Sequence, residues 1–241
     1  MRLLYFLVGL FYFSFSLKAQ TSLSGVINEY SSVSAIDDCQ IKLTVDDSGG
    51  FQIGDDLIVI QMKGAQINES DASNFGSIVQ MNGAGRYEVS TIAWINGSQI
   101  SLTKALANDF QIDGIVQIIN FPYYSNVEIT STLLAKAWDG TTGGVLAFQV
   151  ENELNFSADI DVRQTGFRGG VSLPVDPNNC SWTFNVTDYY YGTNNWRGAF
   201  KGEGIAEYIA GKGAGRGPQA IGGGGGKDHN SGGGGGANVR A

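Results

Sequence analysis

The chain carries one histidine, His229, and it stands between two runs of glycine. A Ser-His-Asp or Cys-His relay needs a histidine held beside its nucleophile, and a multi-histidine metal site needs several, so neither can be assembled. Carboxylates are better supplied, in the sets Asp37-Asp38, Asp46-Asp47, Asp55-Asp56 and Asp159 with Asp161. Two carboxylates facing each other across a sugar could run a glycosidase, and six to eight converging oxygens could hold calcium, but no set has the spaced Asp-x-Asp-x-Asp-Gly loop. Aspartate beside glycine and serine more simply forms turns by bonding its own backbone. Glycine-dense GKGAGRG (211–217) and GGGGGKD (222–228) have the look of phosphate loops. The first follows no strand and opens no helix, as such loops require. The second has Ile221 where the first glycine belongs and Asp228 where a Ser or Thr must meet magnesium. No catalytic, cofactor-binding or metal-binding residue is expected in this region.

The elements that would position these groups read as all-β. Between residues 25 and 121, short runs of Val, Ile, Leu and aromatics alternate with Gly, Asp and Asn breaks, which predicts a small antiparallel barrel or sandwich. Asn96-Gly97 predicts a tight hairpin, with Ile92 and Trp94 answered by Ile100 and Leu102 and a bulge near Ser90 and Thr91. Leu57 to Met62 is a continuous apolar run but for Gln61 and predicts a central strand covered on both faces, and Ile115 to Asn120 predicts another. From about Asn126 the strands shorten: Val127 to Ile129, Leu146 to Val150, Leu154 to Phe156, Ile160 to Val162. Breaks this short suit parallel β-helix-like rungs, with Leu146, Phe148, Val150, Leu154, Phe156, Ile160 and Val162 turned inward. The rival is a continued meander.

Residues 171–200 form a polar and aromatic insertion. Its rings, Trp182, Tyr189, Tyr190, Tyr191 and Trp196, could present a flat sugar-binding face, and the commoner role of such rings is to cap the end of a β-coil. The two cysteines, Cys39 and Cys180, suit an oxidising exterior; paired, they would close a loop of about 140 residues and stabilise the fold by a few kcal/mol. Either could equally stay a free, buried thiol.

Residues 1–19 read as a secretory signal, with Arg2 before an apolar run from Leu3 to Leu17 and cleavage near Ala19. That run is shorter than the roughly 20 residues a spanning helix needs. A formal net charge of −8 and a pI near 4.6 argue against a nucleic-acid partner. The product is therefore expected to be exported.

The last forty residues hold 16 of the 35 glycines, with twin blocks at Gly222 to Gly226 and Gly232 to Gly236. Glycine has no side chain to bury and loses more backbone entropy on ordering than any other residue, so such a tract is disordered or is ordered by backbone hydrogen bonds alone. In the polyproline II conformation, rising about 3.1 Å per residue, its amides and carbonyls all point outward and need neighbouring strands. Those neighbours are expected beyond Ala241, with this chain the N-terminal piece of something longer, which predicts a tract that is poorly packed within these residues.

These segments together resemble the N-terminal region of the large exported surface proteins of Bacteroidota, labelled gliding-motility-associated or type IX secretion substrates. The resemblance rests on the signal ending KAQ, on GDDLIVIQMKGA (54–65), AGRYEVSTI (84–92), VQIINFPYYSNVEIT (116–130), AWDGTTGGVLAF (137–148) and IDVRQTGFRGG (160–170), and on GEGI before the glycine blocks. Such proteins carry a C-terminal sorting domain, which is not expected within these residues. The glycine blocks also resemble, in composition only, the extracellular glycine-rich region of the anaplastic lymphoma kinase receptor. The expectation is an exported surface protein of structural or adhesive type with no catalytic activity in this region. It comprises a barrel or sandwich (20–121), β-helix-like rungs (122–170), the insertion (171–200) and a polyglycine II-like or disordered tract (201–241). Its partners would be surface glycans or other cell-surface proteins. The alternatives are the accessory region of a secreted carbohydrate-active enzyme and a glycan-binding module.

Overall fold

A computed structural model describes residues 20–171, 188–192, 199–207, 209–226 and 233–236. The first strand, β1 (Thr21–Val26), is followed by β2 (Tyr30–Ile36), β3 (Lys42–Val45), β4 (Asp56–Gln61), the short pair β5 (Gln66–Ile67) and β6 (Ile78–Gln80), β7 (Tyr87–Asn96) and β8 (Gln99–Leu102). After a 3-10 turn at Ile112–Gly114 come β9 (Val116–Asn120), β10 (Tyr123–Leu134), β11 (Gln149–Phe156) and β12 (Ile160–Asp161).

Six of these strands close an antiparallel barrel in the order β2-β3-β8-β7-β4-β9. Alternation along each strand sends Leu43, Leu57, Val59, Ile92, Ile100, Leu102 and Ile118 inward, where they are all but sealed from solvent. The LIVIQM run lies between β7 and β9 as its composition predicts, with Leu57 and Val59 inside and Ile58 buried on the outer face. The Asn96-Gly97 turn also forms, Gly97 taking a positive φ of 55°. Its bulge, however, falls between Ile92 and Trp94 and not at Ser90 and Thr91. The extra residue puts Ile95 opposite Ile100, pairs Trp94 with Ser101 and leaves Trp94 on the surface.

The second body is a parallel sheet with β10 at its centre, β1 on one side and β11 followed by β12 on the other. β1 thus belongs to this sheet, and the expected barrel segment 20–121 contains one strand of the neighbouring body. Parallel pairing in register stacks side chains in columns: Thr21, Val127 and Leu154, then Leu23, Ile129 and Phe156. In the second column Leu23 and Ile129 are buried, at 5% and 0%, whereas Phe156 is 61% exposed. Leu146, Phe148, Val150 and Leu154 pack inward as expected, whereas Phe156, Ile160 and Val162 are exposed. Phe156 and Ile160 are aligned with Ile129 and Leu133, but on the outermost rung no further strand covers them among the described residues.

Barrel and sheet meet through the outer face of β9. Gln117, fully buried, exchanges two hydrogen bonds with Gly143 at 2.8 and 2.9 Å, and Asn28 bonds Asn120 O and both backbone groups of Ala147.

The glycine-rich segments form a third body. Gly215 N donates to Ala199 O, Gly225 N to Gly215 O and Gly234 N to Gly224 O, while Ala199 N and Gly202 N donate to Gly226 O and Gly223 O. Segments 199–202, 213–217 and 222–226 therefore each touch the other two, a triangular bundle that no flat sheet allows. The expectation of a poorly packed tract fails for the first glycine block: Gly222, Gly223, Gly225 and Gly226 are buried. The partners that a polyglycine strand needs are supplied by residues 199–217, within the chain and not beyond Ala241.

Candidate functional site

Glu203 sits where the three bodies join. Its backbone belongs to the glycine bundle, where the neighbouring Gly202 N donates to Gly223 O, and Glu203 N ties it to Arg168 O. Its carboxylate gathers donors from the other two bodies. Arg168 lies side-on, Nη2 to Oε1 at 2.7 Å and Nε to Oε2 at 3.1 Å, with its backbone N–H also 3.1 Å from Oε2. Trp138 Nε1 donates to Oε2 at 3.1 Å, and Lys63 Nζ, from the end of β4, reaches Oε1 at 3.4 Å. Phe167 fills the remaining side, edge-on to Trp138 at 5.5 Å and 5.5 Å beneath the Lys63 ammonium. Burial alone would raise the Glu203 carboxyl, but the Arg168 guanidinium and N–H and the Lys63 charge outweigh it and bring it down to about 2. It is a fixed anion across the physiological range.

The loop carrying Trp138 is held by Asp139. Burial opposes the charge on Asp139, yet the amides of Thr142 and Thr141, the Thr141 hydroxyl and Lys136 at 2.9 Å keep its carboxyl far below the ordinary carboxylate range. Here glycine is required: a Cβ on Gly143 would lie 2.6 Å from Ala137 O.

On the far side of the bundle, Lys201 is buried and donates to Tyr189 O at 2.9 Å and to Gly217 O, with the Phe75 ring 4.2 Å below its ammonium. Desolvation lowers its pKa to about 7 against the opposing pull of Asp71. A groove of about 410 Å³ opens between these two clusters, with Lys63, Arg168, Val171, Phe200 and Glu203 in its walls. A smaller depression of about 250 Å³ lies against Asp55, Asp56, Asn120 and Tyr123.

The residues singled out in the sequence are dispersed. Asp37 accepts from the amides of Ile41 and Lys42, Asp47 from Gly49 N, Asp55 from Gln52 N and Asp56 from the Thr91 hydroxyl, and Asp161 is forked by Arg163. They act as turn formers and strand ties, and they do not converge. Among the described residues no three of His, Cys, Asp and Glu gather as a metal site would need. Tyr191 is buried and bridged to Ala214, while Tyr190 lies against Phe75 under Lys212 and Tyr189 under Arg216. Tyr189 and Tyr190 pack with Ile67 and Phe75 and so fasten the glycine bundle to the β5-β6 pair. Trp182 and Trp196 lie outside the described residues. Cys39 is exposed in the β2-β3 turn, and its expected partner Cys180 lies outside the described residues.

Sequence reasoning missed Glu203, Arg168, Lys63 and Trp138 as a unit, although a signal was present. Each stands in one of the segments that carry the family resemblance: IQMKGA, AWDG, GFRGG and GEGI. Those segments, far apart in the chain, converge on one carboxylate.

No protein-family model matches the chain, and no curated protein matches it. Among solved structures it has a likeness to the tailspike Gp54 of Acinetobacter baumannii bacteriophage AP22, solved with that bacterium's capsular saccharide. The match has 14% identity over 54% of this chain and 24% of the tailspike, at a TM-score of 0.28. The tailspike protein gp49 of Pseudomonas phage LKA1 is similar at 12% identity over 50% of this chain and 21% of its own, at a TM-score of 0.26. The chain spans about a quarter of either tailspike, and likenesses this weak carry no argument about its ligand or activity.

Proposed function

We propose that this region is an exported, surface-presented structural module without catalytic activity, of the kind found at the N-terminal side of large bacterial surface proteins. Its work is to hold a barrel head in fixed relation to a glycine bundle, so that whatever the bundle leads to is carried at a set distance and angle. The observation that carries this reading is the Glu203 junction, where Arg168, Trp138 and Lys63 from the sheet loop and the barrel close on one carboxylate of the bundle. These donors converge on one carboxylate, as in a clamp. The net charge of −8 keeps such a module soluble and away from nucleic acid. Among the described residues no helix is long and apolar enough to cross a membrane. Partners would be glycans or other proteins of the cell surface.

The test is to express the chain with an epitope tag in a bacterium that has the matching export machinery and to shave intact cells with protease. Loss of the tag without lysis is expected, and retention of an uncleaved signal in the cytoplasm would sink the proposal. Incubation of the purified mature chain with acidic and neutral polysaccharides is expected to release no new reducing ends.

A further inference from the structure

The groove beside Glu203 has cationic walls that are only partly used. Arg168 has five N–H donors. Nε and one N–H of Nη2 go to Glu203, and Nη1 reaches Asp139 O at 3.3 Å. Two donors at the outer edge of the guanidinium therefore have no partner among the described residues, and the side chain is 57% exposed. Lys63 is 8% exposed, and its one hydrogen-bond partner among the described residues is Glu203 Oε1, at the long distance of 3.4 Å. A buried ammonium with spare donors is costly unless something completes its shell. Both groups line the same groove of about 410 Å³, whose other walls include the Phe200 side and Val171. That volume falls in the range of small-ligand pockets, roughly 300 to 1,000 Å³.

The charge balance restricts the ligand. Lys63 and Arg168 face one fixed carboxylate, Glu203, which leaves a single net positive charge. Lys201 also lines the groove, but its ammonium is bonded to two carbonyls and lies over the Phe75 ring. The donors left for a ligand are those of the Lys63 and Arg168 pair, whose surplus of one charge over Glu203 matches a singly charged oxyanion. The apolar wall then suits the carbon face of a ring attached to that anion.

We propose that this groove binds the carboxylate of an acidic sugar, a hexuronate residue, through the free outer edge of Arg168 and the ammonium of Lys63, with the sugar ring against Phe200 and Val171. The site goes beyond the structural role above and needs no catalysis. Glu203 serves as the counter-charge that holds Arg168 in the orientation a second carboxylate can use, since planar guanidinium presents two donors to each side.

The test is calorimetric titration of the mature chain at low salt with digalacturonate, its methyl ester and acetate. Digalacturonate is expected to bind at least tenfold more tightly than either of the others. Arg168→Lys, which keeps the charge but loses the fork, is expected to weaken digalacturonate tenfold or more. Should that variant unfold, Val171→Glu places a negative charge on an exposed wall residue that takes no part in the clamp and is expected to abolish binding with the fold intact. Equal binding of the methyl ester, equal binding of acetate, unchanged affinity in a folded variant, or no binding at tens of millimolar digalacturonate would each overturn the proposal.

Discussion

The Arg168 guanidinium lies side-on to the Glu203 carboxylate, with paired contacts of 2.7 and 3.1 Å between residues 35 positions apart in the chain. A fork of this kind fixes orientation as well as distance. Removing the carboxylate would leave Lys63 and Arg168 facing each other without a counter-charge. Glu203→Gln is therefore expected to cost about 2 kcal/mol, below the figure for fully buried pairs because Arg168 is well exposed. Urea unfolding of the two proteins measures it.

The same carboxyl sets an acid limit. Its folded pKa, about 2, lies below the ordinary 4.5, so the unfolded chain takes up its proton first as pH falls. The stability it contributes is complete above pH 5 and is lost as pH drops from there through 2. Glu203→Gln should lose less stability than the parent across that window in urea titrations at fixed pH steps, and parallel curves would count against the assignment.

Lys201 acts in the opposite range. Its folded pKa of about 7 is below the ordinary 10.5, so between these values the unfolded chain binds more protons and stability rises with pH. Lys201→Met, which keeps the stem beside Phe75 and removes the charge, is expected to flatten that rise between pH 7 and 10. A parent protein whose urea midpoint is level from pH 7 to 10 would refute the account.

Glycine substitutions separate the packed bundle from a loose tract. A Cβ at Gly225 would lie 1.9 Å from Ala199 O, and at Gly223 2.1 Å from Gly234 O, while one at Gly235 meets nothing within 4 Å. Gly225→Ala is expected to destabilise the bundle by about 3 kcal/mol and to raise amide exchange across 199–226, whereas Gly235→Ala should be silent. Similar exchange in both variants would mean that the tract is not packed.

In the barrel, the displaced bulge has a mutational signature. Ile92→Ala empties a sealed core position and is expected to cost about 2 to 4 kcal/mol, whereas Trp94→Ala removes an exposed ring and should cost below about 1 kcal/mol. Thermal melts of the pair decide whether the bulge lies between them.

Alternation and turn chemistry made the barrel legible, because both are local: LIVIQM reads as a covered strand from six residues and Asn96-Gly97 as a hairpin from two. The bulge position was less so, since sliding it by a few residues leaves the composition of β7 unchanged and is decided by which ring the core can hold. The place of β1 was not legible at all. TSLSGV alternates equally well for either body, and only the long-range partner Ile129 distinguishes them. The site was hidden for a related reason. Lys63, Trp138, Arg168 and Glu203 are spread over 140 residues, and no single stretch announces a cluster. The packing of the glycine block was not legible because its hydrogen-bond partners, Ala199, Gly202 and Gly215, are backbone groups that no side-chain pattern marks.

The parallel sheet ends on an uncovered rung, where Phe156 is exposed although Leu23 and Ile129, aligned with it, are buried. Among the described residues no strand pairs with the outer edge of β11, which runs beside an apolar column already in register. A strand arriving parallel to β11 would find its alignment dictated by Leu154 and Phe156 before any turn constrained it, since a slip of one residue would turn its apolar set to water. The sheet thus works as a template whose next layer is specified in advance, and its outer rung is the place where this molecule can be lengthened without changing anything beneath.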